Sequence, residues 1–136
     1  MKTFLLVIIL LVVFVGIIWF SGNKGEEISF PSPATTISKI ITINMTDSGF
    51  NPAEMTINAG DTVRFVNQGN QARWPASGIH PTHDLYPEKG GCISSKFDAC
   101  KGLAKAESFS FTFTIKGSWP YHDHFVPSVR GTIIVQ

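Results

Sequence analysis

Strict alternation over residues 108–115 constrains this chain more than any other feature. Phe109, Phe111, Phe113 and Ile115 hold one parity, and Ser108, Ser110, Thr112 and Thr114 the other. A period of two puts successive side chains on opposite faces of an extended strand, one buried and one wet. A helix would scatter the same phenylalanines around its circumference. Ile41, Ile43 and Met45 alternate with Thr42 and Asn44 in the same way, and Met55 and Ile57 with Thr56 and Asn58. Asn58-Ala59-Gly60-Asp61 is turn chemistry, and Thr62–Val66 follows it as another strand. Lys116-Gly117-Ser118 turns the chain again, and residues 132–135 close it as a last strand. After residue 38 helical spacing reaches at most one turn, over 99–105. Short strands and frequent turns over about 100 residues predict an all-β sandwich. The phenylalanine stripe is read as core, not as a cofactor face.

Residues 4–20 differ in kind. They form one uncharged apolar run of 17 residues. As a helix rising about 1.5 Å per residue, the run and its small neighbours approach the roughly 30 Å of a hydrocarbon core. A cleaved signal peptide has a shorter apolar region ending at small residues, whereas Trp19 and Phe20 crowd the cleavage point here. An uncleaved anchor is therefore favoured, with the signal segment as its rival. Lys2 precedes the run, which favours an inside amino terminus and an exported carboxy-terminal part. Residues 21–38 are rich in Gly, Ser, Thr and Pro and read as a tether. The expected organisation is thus an anchor or signal over 1–22, a flexible linker over 23–38 and one β domain over 39–136. That domain sits on the extracytoplasmic side of the cell membrane, or is secreted if the first segment is cleaved.

Charge excludes one class of partner. The chain carries 11 basic and 10 acidic side chains, a formal net charge of +1. No basic excess exists to hold nucleic-acid phosphates. Hydrophobic residues at 43% also exclude a disordered chain. No Ser-His-Asp arrangement, phosphate-binding glycine loop or paired-carboxylate motif suggests an enzyme.

The four histidines come as two close pairs, His80 with His83 and His122 with His124. A lone histidine is more often structural than a ligand, but two pairs in a small β domain carry more weight. Pro81 suits the second position of a turn that brings the Cα atoms of residues 80 and 83 within about 7 Å. His122 and His124, two apart on extended chain, lie on one side about 6.6 Å apart. Four imidazoles without a clustered thiolate suit copper or zinc, and intrinsic affinity favours copper. A purely structural role for these rings is the competing reading.

The segment Gly60-Asp61-Thr62-Val63-Arg64-Phe65-Val66-Asn67, a His-bearing loop, and Gly117-Ser118-Trp119-Pro120-Tyr121-His122-Asp123-His124 followed by Gly131-Thr132-Ile133-Ile134-Val135 resemble the cupredoxin superfamily. The resemblance covers about residues 39–136. It implies a Greek-key β-sandwich that holds copper between the loops at one end. In plastocyanin-like members a Cys follows the Tyr, then a His and an axial Met. Here His122 stands where that Cys would be, and Val129 where the Met is expected. The run is closer to the Tyr-His-x-His motif of multicopper oxidases, although a chain this small cannot assemble the several domains of an oxidase. The implied ligands, in order, are His83, His124, His122 and His80. Asp84 and Asp123 are candidates to orient the imidazoles from behind.

Cys92 and Cys100 are the only cysteines. In an exported domain they are read as a disulfide. The alternative is that one of them swings in as a copper thiolate. The sequence therefore predicts a membrane-tethered copper protein acting in electron transfer or in copper holding and delivery, with a redox or copper-exchange protein as partner. The rival is a structural or interaction sandwich that has lost the site.

Overall fold

The computed structural model describes residues 37–136. The expected anchor and most of the linker lie outside the described residues. Among the described residues there is no helix, and none long and apolar enough to cross a membrane.

Eight strands follow one another: β1 (Ile40–Thr46), β2 (Gly49–Asn51), β3 (Glu54–Ile57), β4 (Thr62–Asn67), β5 (Pro75–Ser77), β6 (Ser108–Thr112), β7 (Gly117–Asp123) and β8 (Arg130–Val135). They form two four-stranded sheets, ordered β2-β1-β4-β6 and β3-β8-β7-β5. The chain keeps switching sheets, so β1 meets β4 in parallel and β3 meets β8 in parallel. This is the two-sheet, all-β sandwich that the alternation requires.

Alternation sets the register. Ile43 and Met45 on β1, Val63 and Phe65 on β4, and Ile133 and Val135 on β8 turn inward and are buried. The turn before β4 is held by Asp61, whose carboxylate accepts the backbone N–H groups of Lys39 and Asn58, both at 2.9 Å. Those two bonds hold its carboxyl below the ordinary carboxylate range. Gly60 adopts φ +94°, a left-handed conformation the turn needs and other residues reach at a cost.

Two details differ from the expectation. β6 ends at Thr112, short of the expected Ile115, although Phe113 keeps its inward parity and is buried, its backbone bonded to Gly60 and Asp61. The 99–105 segment makes no helical turn; Leu103 bridges backbone to backbone with Arg73 instead.

The long connection from β5 to β6 is irregular but firmly packed. Tyr86, Phe97 and Leu103 are its buried anchors. The Phe97 ring lies 4.9 Å from Phe113, 5.2 Å from Phe111 and 5.8 Å from Phe65, centroid to centroid. Such offset and edge-on aromatic packing fixes the loop to the sandwich. It therefore fixes Asp98, the next residue along.

Candidate metal centre

All four histidines converge. Each offers one ring nitrogen, and these atoms lie within 4.8 Å of one another. Two nitrogens on opposite sides of an ion bound at about 2.0 Å are roughly 4 Å apart, so little contraction is needed.

Strand β7 supplies two of them. It runs between β8 and β5, and His122 pairs with Arg130 on one side and Ala76 on the other. His124 lies one residue past the strand, its N–H donating to the Trp74 carbonyl at 2.8 Å. Period two puts both rings on one side, with centroids 6.5 Å apart. The Trp74 ring packs against His124 at 4.3 Å.

The loop after β5 supplies the other two. The His83 N–H closes a turn onto the Ile79 carbonyl at 2.9 Å. His83 itself takes φ +50°, a region that non-glycine residues occupy at a cost and that concentrates at functional sites. Its ring is fully buried, whereas His80 is exposed.

A buried carboxylate orients His83. Asp98 Oδ2 lies 2.7 Å from His83 Nδ1, with both side chains inaccessible. Asp98 Oδ1 accepts Trp74 Nε1–H at 2.6 Å and the Cys100 backbone N–H at 2.8 Å. A carboxylate so placed holds the proton on Nδ1 and leaves the Nε2 lone pair free for a metal. His83 Nε2 faces His124 Nδ1 at 3.0 Å. In the metal-free protein a proton on His124 Nδ1 bridges the two rings.

His122 provides the test of fit. Its ring is 2% exposed, and neither nitrogen has a hydrogen-bond partner. Buried polar atoms left unpaired in this way are rare and call for an explanation such as an ion. Burial, reinforced by the neighbouring His83, His80, His124 and Arg130, pushes the His122 pKa down to about 4. Burial likewise lowers that of His124, again with the charges of His83 and His80 behind it. Both rings are held neutral, the form that binds metal. Four convergent imidazoles, one held by a carboxylate at Nδ1 and one with no protein partner, fit copper.

The thiolate is absent from this set. Cys92 and Cys100 form a disulfide, with Cα atoms 5.5 Å apart. Val129 offers no donor atom.

The carboxylates correct the sequence reading. Asp84 is exposed and its Oδ1 accepts the Thr82 hydroxyl, not an imidazole. Asp123 is buried against Arg73 at 2.8 Å and accepts the N–H groups of Trp74 and Phe125. It fixes backbone on either side of His124 rather than a ring. Asp84 failed because the loop turns it outward, and Asp123 because strand parity aims it away from His122 and His124. Asp98 does the orienting, 15 residues from His83. Its only sequence signal is an acid beside Phe97, an aromatic destined for the core.

A small β-sandwich with a convergent histidine cluster at one end defines a class of metal-binding domain. Residues 8–135 match the cupredoxin-like domain family, and the chain belongs to that family. No curated protein matches the chain significantly. Among solved structures it is similar to a purple cupredoxin from Nitrosopumilus maritimus, at 17% identity and a TM-score of 0.57, covering 70% of this chain and 98% of that one. It is also similar to a copper(I) form of an amicyanin variant, at 21% identity and a TM-score of 0.56, covering 71% and 82%. A reduced amicyanin variant aligns at 19% identity and a TM-score of 0.57, covering 76% and 88%. At these identities the likeness is one of fold.

Proposed function

We propose that this is a membrane-tethered, extracytoplasmic cupredoxin-like protein that binds one copper ion through His83, His124, His122 and His80 and holds or delivers it. One observation carries the reading: the His122 ring is buried among three other imidazoles with neither nitrogen partnered. Copper, when bound, supplies Lewis acidity and a one-electron couple. The chain does the rest. Asp98 fixes the tautomer of His83, β7 fixes the spacing of His122 and His124, and the Trp74 ring covers His124. His80 stands at the solvent-facing edge, where an incoming ligand can take its place.

Holding and delivery are preferred to electron transfer because of the donor set. Blue-copper sites use a thiolate with two histidines, and here the thiolates are consumed in a disulfide. Electron transfer is the second reading, supported by the ladder-held strand pair and by the likeness to amicyanin, a protein described in reduced and copper(I) forms. Metal analysis of the chain purified without added copper, followed by spin resonance of the loaded form, tests both. One equivalent of copper with a wide hyperfine splitting and pale colour is expected. No metal uptake would leave the sandwich as an interaction module, and an intense blue or red band would make Cys92 or Cys100 a ligand. Reversible fast voltammetry would favour electron transfer over delivery.

A further inference from the structure

The Cys92–Cys100 disulfide closes a loop, and two of the four hydrogen bonds that His83 makes end inside it. The His83 carbonyl accepts the N–H of Ser95 at 2.9 Å, and Ser95 is fully buried. The His83 ring nitrogen Nδ1 meets Asp98 Oδ2 at 2.7 Å. The bonds to the Ile79 carbonyl and to His124 Nδ1 lie outside the loop. The cystine also reaches the carboxylate directly. Cys100 adopts φ +59°, a left-handed conformation that costs a non-glycine residue free energy, and in it donates its N–H to Asp98 Oδ1 at 2.8 Å. Cys92 and Cys100 are exposed, whereas Asp98 and His83 are buried.

From this continuity we propose that the disulfide is a positioning element for the histidine centre, through which thiol–disulfide exchange at the surface sets how firmly the site holds its metal. The inference rests on the copper reading given above. An external dithiol would form its own disulfide while the Cys92–Cys100 bond breaks, and two electrons and two protons would pass to the two protein thiols. Cys100 would then be free to leave its left-handed conformation and withdraw its N–H from Asp98. The carboxylate keeps Trp74 Nε1–H, so its grip on His83 loosens without being lost. The loop itself stays in place. Ala99 donates to the Pro75 carbonyl, Ser77 to the Phe97 carbonyl, and Phe97 is anchored in the core. The disulfide thus acts on orientation more than on folding, and its removal lowers affinity less than loss of Asp98 does.

The test uses the full chain in detergent micelles, labelled with nitrogen-15 at histidine. In the metal-free protein the His83 Nδ1–H resonance should be sharp and protected from exchange. Cys92→Ser combined with Cys100→Ser should expose it to solvent exchange and reduce copper(II) affinity by about tenfold, against a competing chelator. Asp98→Asn should cost about 10–100-fold, the range for an outer-shell partner of a ligand. The triple variant should lose no more than Asp98→Asn alone, because the two changes act along one path. An unchanged His83 resonance without the disulfide would overturn the proposal, as would losses that simply multiply in the triple variant. If the serine variant fails to fold, phosphine reduction of the wild type, watched at the same resonance and reversed by reoxidation, decides it. Because the resonance is read without metal, failure of the copper reading leaves a distinct signature: no binding, with the His83 response intact.

Discussion

The two histidine pairs reach the same point by opposite means. His122 and His124 sit on and just past a strand with neighbours on both sides, so backbone ladders fix them. No bond to either His122 ring nitrogen is needed to place it, and none is made. His80 and His83 sit on a loop without a ladder. His83 is placed by its own polar atoms, through Asp98, Ser95 and Ile79, while His80 is exposed. Strand geometry positions His122 with both ring nitrogens free and leaves His124 Nδ1 facing only His83. On the loop, His83 must use a ring nitrogen on Asp98 to obtain the same precision. The centre therefore has a rigid half and a half whose orientation depends on its surroundings.

The largest effect expected is loss of one ligand from each half. His124→Ala and His83→Ala should each lower copper(II) affinity by more than about 100-fold, beyond the range of an outer-shell loss. They should differ in stability. His83→Ala also strips a buried partner from the Asp98 carboxylate, a penalty of about 1–3 kcal/mol. His124→Ala leaves no buried charge unpaired. Denaturant titration of the two metal-free variants would break the comparison if they proved equally stable.

Acidity sharpens the same contrast on the strand side. The pKa of His122 is about 4 in the folded chain against about 6.5 unfolded. Between those values the unfolded chain binds the extra proton, so the stability of metal-free protein rises with pH. The contribution is complete above about pH 6.5 and is lost as pH falls toward 4. Melting temperatures of metal-free chain at pH 7, 5.5 and 4.5 should fall in that order, with a shallower slope for His122→Phe. An unchanged slope in that variant would show that the ring is not the group responsible.

These contrasts were only partly legible in the sequence. Period two announced the sandwich and even the His122–His124 spacing, because both follow from local geometry. The parity of residues 108–115 holds at Phe113, which is buried, and only the strand is shorter than the alternation, since β6 ends at Thr112. β2 and β5, three residues each, are too short to carry a period. Asp98 and Trp74 were invisible as site residues for a different reason. Their roles arise where a loop anchored by Phe97 folds back across β5, and no spacing rule links residues 74, 83 and 98. The adjacent acids Asp84 and Asp123 were the natural sequence choices, yet adjacency in the chain turned their carboxylates elsewhere.

A smaller effect belongs to the most exposed ring. His80 lies 4.9 Å from His124 and 5.5 Å from His122, centroid to centroid, but faces solvent. Water can replace an exposed ligand at modest cost, so His80→Ala should lower affinity by less than about tenfold, or 1.4 kcal/mol. The spin-resonance spectrum should shift while copper stays bound. A loss as large as that of His83→Ala would mean that the loop pair acts as one unit and that exposure does not separate its members.

The smallest effect tests the strand half from behind. Tyr121 precedes His122 on β7 and turns into the core, its ring 4.7 Å from Phe50 and 5.3 Å from Phe65. Its hydroxyl is buried with no hydrogen-bond partner, and burial pushes its pKa well above the ordinary tyrosine value. Gly131 faces it across the ladder because a Cβ there would collide with the Tyr121 ring and hydroxyl. Tyr121→Phe keeps the ring and removes only the orphaned oxygen. Deleting an unsatisfied polar atom without changing shape is neutral or stabilising, here by up to about 1 kcal/mol. Copper affinity should not move, because the ladder, not the hydroxyl, places His122. A Tyr121→Phe variant that folds as well as wild type yet binds copper more weakly would show that the strand half also relies on a side-chain contact, and the division between ladder-held and bond-held histidines would fail.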